Sequence, residues 1–406
     1  MSCIKVGAPR ASPLPQDMLY TFYWRYILSG GRGNSSYTRG TNFDRRTSSN
    51  KSRQSLSSSH GILDTRHYHM SLQPVRAHAI GPPLASASAG GPPEHETMVD
   101  ALKSAASCSA ADVGITYLSQ GFTRFDTYAG LLAAARNQLG GLQKLGLSQG
   151  STCVMQISDM RSHIHALWGC ILGGIAPVNI SIPRVYEPRN GIVQKLLGLI
   201  ETLEAQHVLA STPNVEPLRH LLRTNAEGRN TAVHDLARLD ASAPAVSEPH
   251  ICSTDILFYQ LTSGSTGRSK CIPECHCAVI SHLRHSIAHC GYSGCGSSGC
   301  GADGQDAAQG NANGQHEAAT CQDTSMNWLP FDHVVPMLTF HLCDVYACRR
   351  AFQVPTAEVL SEPLLWVRVL AEYGCTHSWA PNFGFKLVVK ALQVCITTRT
   401  CTCMRA

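Results

Sequence analysis

The sequence predicts an α/β fold, and three stretches carry that prediction. Residues 153–157 (CVMQI) form a short, unbroken apolar run of the kind a buried strand shows, and a helix-like segment follows at 162–172. Leu131, Leu132, Ala135, Leu139 and Leu142 recur at helical spacing. Residues 256–261 alternate, with Ile256, Phe258 and Gln260 on one side and Leu257, Tyr259 and Leu261 on the other. They lead into LTSGSTGRSK at 261–270, and a further helical pattern runs from 277 to 288. Strands and helices that alternate along a chain build layered sheets with helices packed on their faces.

Taken in order, the body begins at Glu94. Residues 98–106 suit a helix, 114–118 a strand and 122–125 another. Asp126 or Thr127 then caps a helix that ends near Gly146. After the strand at 153–157 and the helix at 162–172, residues 166–182 are apolar enough to raise a membrane span. Gly173, Gly174, Pro177 and Asn179 interrupt them, and the run falls short of the roughly 20 residues a bilayer needs, so helix, glycine turn and strand is the reading. A helix at 193–203 and a strand at 207–210 follow, and residues 211–250, uneven and Pro-containing, read as a surface connection. Beyond the helix at 277–288, residues 291–325 are low-complexity Gly, Ala, Ser and Gln, which fits an exposed loop. A helix at 364–373, a strand at 376–379 and a turn into a helix at 380–387 complete the pattern. Residues 391–406 form an irregular Thr/Cys tail.

The 406 residues, 43% of them hydrophobic, are enough for two or three domains. The net charge of +5 is unevenly spread. Residues 1–93 carry eleven Lys and Arg against Asp17, Asp44 and Asp64, which is +8, so the remainder, with 22 basic and 25 acidic residues, carries −3. The body therefore offers no nucleic-acid surface, and the basic leader as a nucleic-acid arm has only its charge run behind it. Rich in Ser, Arg, Gly and Pro, the leader reads as disordered. Its composition also suits an organelle transit peptide, with a weak amphipathic patch at 19–29. The expected location is the cytoplasm, or a plastid or mitochondrion if the leader is a transit peptide. Of the 18 cysteines, Cys271, Cys275 and Cys277 flank His276 beside the 261–270 loop, and Cys290, Cys295 and Cys300 follow. No paired C-x2-C spacing and no secretory signal is evident, so free thiols are expected rather than a zinc site or a disulfide framework.

The 261–270 stretch carries the chemistry. Hydroxyls of Thr262, Ser263, Ser265 and Thr266 alternate with Gly264 and Gly267, whose freedom at φ > 0 lets backbone N–H groups converge on an anion. Strand, Gly/Ser/Thr loop and helix, with Lys270 near the turn, is one way to hold phosphates. It is not a Walker A loop, because Arg268 and Ser269 separate Gly267 from the lysine. A flexible Gly/Ser turn is the bland alternative.

LTSGSTGRSK resembles the phosphate-binding signature of the adenylate-forming (AMP-binding) superfamily: acyl-CoA synthetases, fatty acyl-AMP ligases and the adenylation domains of nonribosomal peptide synthetases. The longer string LTSGSTGRSKCIPE is most similar to adenylation or loading domains of peptide and polyketide assembly lines. FDTYAGLL (with Gly130 in place of an acidic residue), WGCILGGIAPVNISIP, NWLPFDHVVPMLTFHLCDVY and APNFGFKL resemble further motifs of that superfamily. The resemblance implies the layered α/β sheets of its large N-terminal domain, in part, over 94–390, with 291–325 as an insertion. It implies ATP-dependent activation of a fatty, aryl or amino acid as an acyl-adenylate with release of pyrophosphate, using Mg²⁺. Transfer to CoA or to the phosphopantetheine of an acyl or peptidyl carrier protein would follow. Thr262, Ser263, Gly264, Ser265, Thr266, Gly267 and Lys270 would hold the nucleotide phosphates, with Lys270, Thr266 and His333 in catalytic positions. Asp332, His333, Asn382, Phe383 and Gly384 would face the acid. Open beside these roles stand a helix N-cap for Asp332, a locally satisfied strand-end histidine for His333, and packing or capping for Asn382, Phe383 and Gly384. The superfamily's later motifs are not found before Ala406, so the expectation is a fragment or truncated gene model with little activity of its own. The alternative is a non-catalytic nucleotide-binding or interaction protein descended from such a ligase.

Overall fold

The computed structural model describes residues 3–5, 95–119, 121–239, 247–262, 270–290 and 323–398. The first of these, β1 (Cys3–Lys5), pairs antiparallel with a strand near the far end of the chain, an element the reading of 1–93 as an unpatterned leader does not anticipate. The rest of the leader, nearly all of the low-complexity stretch and the last residues of the tail lie outside the described residues.

Helix α1 (Met98–Cys108) opens on a capping box in which Thr97 and Asp100 satisfy each other's backbone N–H groups. The hairpin of β2 (Gly114–Ser119) and β3 (Phe122–Thr127) leads into α2 (Tyr128–Lys144). Thr127, not Asp126, caps that helix: its hydroxyl accepts from the Gly130 N–H at 3.0 Å. Next come β4 (Thr152–Gln156), α3 (Met160–Leu172) and β5 (Ala176–Asn179). The 166–182 stretch is thus helix, glycine turn and strand, with Gly174 at φ +61° in the turn. Among the described residues no helix is long and apolar enough to cross a membrane. A Cβ on Gly169 would lie 2.7 Å from the Gln138 Cβ and 3.2 Å from the Ala135 carbonyl, so α2 and α3 pack closer than any larger residue there allows.

Helix α4 (Gly191–Leu203) and β6 (His207–Ala210) follow the expected pattern, but 211–250 does not. It contains α5 (Thr212–Thr224), with Pro213 in its first turn and Pro217 within it, and β7 (Ala232–Asp235), so it contributes an edge strand rather than a mere connection. The larger correction concerns the 261–270 loop. Strand β8 (Ile256–Thr262) is followed not by a helix but by β9 (Lys270–Cys275), antiparallel to it, and only then by α6 (His276–Cys290). Strand β9 lies at the sheet edge, the one place where Pro273 costs no ladder bond.

Strand β10 (Thr324–Asn327) is followed by a π-helix, Val335–Leu342, running into α7 (Cys343–Tyr346). The chain closes with β11 (Arg350–Gln353), α8 (Thr356–Ser361), α9 (Pro363–Glu372), β12 (His377–Trp379) and α10 (Asn382–Thr398), which continues through the first residues of the expected irregular tail. Two six-stranded sheets result, ordered β1-β12-β10-β11-β2-β3 and β7-β6-β4-β5-β8-β9. Within each, the inner strands are parallel, and β1, β3 and β9 run antiparallel at the edges.

A buried polar cluster fastens α2 to the first sheet. Arg349 meets the Asp344 carboxyl at 2.6 Å, Ser325 donates to the same carboxyl at 2.5 Å, and the Tyr128 hydroxyl donates to the Arg349 carbonyl at 2.6 Å. Burial pushes the Asp344 carboxyl up to about 6 against the pull of Arg349 and Ser325. Removing one partner of such a pair strands the other charge without water. Arg349→Met is therefore expected to lower stability in urea unfolding by about 3–5 kcal/mol. Arg350→Met, which breaks the exposed pair with Asp112, is expected to cost less than about 1 kcal/mol. Equal losses from the two substitutions would contradict this reading of the cluster.

Candidate functional site

In the second sheet β4 and β5 are parallel neighbours, and the segments that leave their carboxyl ends face the first sheet's strand ends. Carboxyl ends of parallel strands are where α/β folds hold ligands. A cavity of about 370 Å³ opens beyond the ends of β4 and β5. Five strands reach it with their C-terminal ends: residues 117–119 of β2, 157–161 after β4, 179–182 at the end of β5, 330–332 after β10, and Gln353 with residues 355–357 at the end of β11, while Phe122 and Arg124 come from the start of β3. Both sheets therefore contribute walls. Ile157, Ile180 and Phe331 make part of the lining apolar.

The wall from β4 is fixed by charge. Arg161 forms a two-pronged pair with Asp126 at 2.7 and 2.8 Å, and His165 reaches the same carboxyl at 2.8 Å. Burial alone would push the Asp126 carboxyl up, but the hydrogen bonds from His165 and Arg161 outweigh it and hold it at about 2. Asp159 caps α3 by accepting from the Ser162 N–H at 2.8 Å, so the helix start at the cavity edge is already satisfied by the protein. His163 Nε2 donates to Asn179 Oδ1 at 2.9 Å, and Asn179 Nδ2 in turn points at the Met337 sulfur at 3.0 Å. Burial pushes the His163 ring down, against the hydrogen bonds to Asn179 and the Ile157 carbonyl.

Asp332 connects this cavity to the 261–270 hairpin. One carboxyl oxygen accepts from the Ser181 hydroxyl, and its backbone carbonyl accepts from Gln260 Nε2 at 3.4 Å. Gln260 lies two residues before Thr262, and Thr262 pairs across the hairpin with Lys270. The ends of the loop are therefore held about 5 Å apart, closing its neck beside Asp332. The second carboxyl oxygen, Oδ1, is buried without a hydrogen-bond partner, as is Gln353 Nε2, whose side-chain carbonyl is taken by Asn327 at 3.0 Å. An apolar cavity with one acceptor and one donor left unmatched is what a small-molecule site looks like.

Of the residues singled out from sequence, Asp332 lines the cavity and Thr262 and Lys270 form the loop neck, with Lys270 exposed. Ser263, Gly264, Ser265, Thr266 and Gly267 lie outside the described residues. Asp332 is not a helix cap: the π-helix after it starts from Val334 with no side-chain cap bond. His333 is exposed, its Nε2 3.9 Å from Asp332 Oδ1, and it does not line the cavity. Neither do Asn382, Phe383 and Gly384, which begin α10. Gly384 fits against the buried Trp328 ring, and Phe383 meets that ring edge-on at 6.4 Å between centroids. Helix α6 starts at His276, six strand residues from the loop or roughly 20 Å, so its N-terminus does not serve the loop. Among the described residues no group of three or more His, Cys, Asp or Glu could hold a metal ion. Sequence reading missed Arg161, His163, Asn179, Ser181 and Gln353. Their one signal is position, since each stands at or just beyond the end of an apolar strand or opens the helix that follows.

Comparison with known proteins bears on the family and the fold. A family model described as AMP-binding enzyme matches residues 109–399. A protein from Paxillus involutus named an inactive atromentin synthetase is 26% identical over 279 residues, 67% of this chain and 25% of that protein. An adenylation domain of a keto acid-selecting NRPS module, bound to keto acyl adenylate, superposes with a TM-score of 0.61 at 25% identity, covering 74% of this chain and 51% of that one. The McyG A-PCP structure with phenylalanyl-adenylate gives 0.62 at 25% identity over 74% and 50%. The chain spans about a quarter of the length of the curated relatives it matches.

The Asp126 cluster sets an acid-side dependence. Its folded value of about 2 lies below the ordinary 3.8, so its stabilisation is present above pH 4 and is lost as pH falls towards 2. The full contribution is on the order of 2 kcal/mol. In urea unfolding the stability gap between wild type and Asp126→Asn is expected to narrow from pH 5 to pH 2.5. A gap that stays constant or widens would show that the carboxyl is not held down by Arg161 and His165.

Proposed function

This chain belongs to the AMP-binding enzyme family, and from that membership we propose that it activates a carboxylic acid with ATP, forming an acyl-adenylate and pyrophosphate. The observation that carries the reading is the pair of hydrogen bonds from Ser181 and Gln260 to Asp332, which sets the phosphate-loop neck against the wall of the apolar cavity. An acid whose tail fills that cavity would present its carboxylate towards the loop.

The chemistry asks little of a general base, because a carboxylate is already ionised at neutral pH. One carboxylate oxygen forms a bond to the α-phosphorus of ATP as the bond to pyrophosphate breaks. Catalysis then rests on alignment and on neutralising the charge that gathers on the leaving group. The hydroxyls of Thr262, Ser263, Ser265 and Thr266, the backbone N–H groups of the loop and the Lys270 ammonium suit that second task. Adenylation domains use ATP with Mg²⁺. Such an ion would share the neutralisation of the phosphate charge with the loop and Lys270. The unmatched Asp332 Oδ1 favours an acid with a hydrogen-bond donor near its carboxylate, such as an amino acid. The apolar lining suits an aryl or fatty tail. Attack by a thiol, of CoA or of a carrier-bound phosphopantetheine, would then release AMP.

A second reading has its own support: the relative from Paxillus involutus is named inactive. On that reading the chain binds a nucleotide without turning it over. ATP–pyrophosphate exchange on the full chain, across fatty, aryl, amino and 2-keto acids, separates the two. Activation predicts exchange with at least one acid and a loss of about 100-fold or more in Lys270→Ala. ATP binding that Lys270→Ala abolishes, with no exchange for any acid, would favour the second reading, and failure to bind ATP at all would contradict both.

A further inference from the structure

The end of β9 remote from the loop carries a feature that adenylation does not use. Cys275 is the last residue of β9 and Cys277 the second of α6, and their sulfurs lie 3.3 Å apart. Cys277 is exposed and Cys275 half-buried, so small reagents in solution can reach them. The junction that holds them is anchored at each residue between and beside them. The His276 N–H donates to the Asp255 carbonyl at 3.2 Å and the Cys277 N–H to the Ser253 carbonyl at 2.8 Å. The His276 ring is buried and its Nδ1 accepts from the Met98 N–H at 3.0 Å. The β8–β9 register is irregular between Ile256 and Phe258, where Cys275 pairs, which leaves the strand end free of a regular ladder.

From this geometry we propose that Cys275 and Cys277 form a vicinal-dithiol modification site, which a low-molecular-weight disulfide converts into an intramolecular Cys275–Cys277 disulfide. The sulfurs need to approach by about 1.3 Å to reach bonding distance, within reach of a side-chain rotation at each residue. In the first step one cysteine, its proton lost to solvent, attacks a sulfur of the small disulfide. The S–S bond breaks, one small thiolate leaves and takes up a proton, and a mixed disulfide remains. The second cysteine, likewise deprotonated, attacks the protein sulfur of that mixed disulfide and expels the second small thiol. The two cysteines lose two electrons and two protons, and the small disulfide gains both.

Two comparisons within the chain sharpen the assignment. Cys153 and Cys170 also neighbour each other, but both are fully buried and out of a solute's reach. Cys271 lies on the same strand as Cys275 but four residues away, outside the contact between the other two sulfurs. Burial pushes the Cys271 thiol up to about 11 and the Cys277 thiol up as well, so position along the strand separates Cys271 from the pair and makes it an internal reference.

The test uses the full chain, reduced, desalted and treated with oxidised glutathione, then unfolded in denaturant while trapped with a maleimide, and digested with trypsin. Cleavage after Lys270 and Arg284 releases one peptide that holds Cys271, Cys275 and Cys277. The expected product has lost two hydrogens and carries a single maleimide, on Cys271, with fragmentation placing the bond between 275 and 277. In Cys275→Ser the bond cannot close, and Cys277 is expected to retain glutathione. A peptide with maleimide or glutathione on both Cys275 and Cys277, or with either joined to a cysteine elsewhere in the chain, would overturn the proposal. These readouts do not depend on whether the chain adenylates any acid.

Discussion

Asp332 is the residue through which the two halves of the site hold each other in place. Its backbone carbonyl takes a hydrogen bond from Gln260, just before the loop neck, and one of its carboxyl oxygens takes another from Ser181, just after β5. Three chain segments, separated by more than 70 residues each, are thereby fixed within a few ångströms of one another. The remaining carboxyl oxygen is left buried and unmatched. Leaving a buried acceptor unsatisfied costs about 1–3 kcal/mol, which a ligand donor would recover. The same residue thus connects the cavity to the loop and supplies the clearest polar determinant of what the cavity accepts.

Around it the walls are stiff and mostly uncharged. Burial drives His163 down, and His341 down to about 3, so the His341 ring is neutral under ordinary conditions. His341 Nε2 accepts from the indole N–H of the fully buried Trp168 at 2.8 Å, and its ring lies 5.2 Å from that of Phe331, in the cavity wall. His341 sits on the π-helix Val335–Leu342, a geometry that recurs at functional sites because its widened turn re-aims side chains. The charged residues of the lining are Arg124, Asp159, Arg161 and Asp332, and Asp126 neutralises Arg161 from behind the wall. A carboxylate entering such a site therefore meets two guanidinium groups as well as the carboxyls of Asp159 and Asp332.

How much of this was legible in the sequence depended on whether the signal was local. The strand at 207–210 matches the structure to the residue, because the short apolar run Val208 to Ala210 stops at Ser211 and Pro213. Strand β9 was not anticipated: Pro273 and Glu274 are poor strand formers, and the edge position of the strand, a tertiary fact, makes them tolerable there. Helix α5 and β7 were hidden for similar reasons, one by its two prolines and the other by being a four-residue edge strand. In the site, Asp332 was legible through its motif, although both its alternatives stayed open until the hydrogen bonds could be seen. Arg161, His163, Asn179, Ser181 and Gln353 come from separate strand ends that only the sheet order brings together. The neck formed by Thr262 and Lys270 follows from the antiparallel pairing of β8 and β9, which no local pattern announces.

The central claim is that a carboxylate oxygen becomes bonded to the α-phosphorus of ATP. The most direct measurement follows that oxygen. The full chain is incubated with ATP and a carboxylic acid labelled with oxygen-18 in its carboxylate, and hydroxylamine captures the acyl group. Activation at this site predicts one labelled oxygen in the AMP released and an unlabelled pyrophosphate. AMP without label, or ADP and inorganic phosphate in its place, would contradict it.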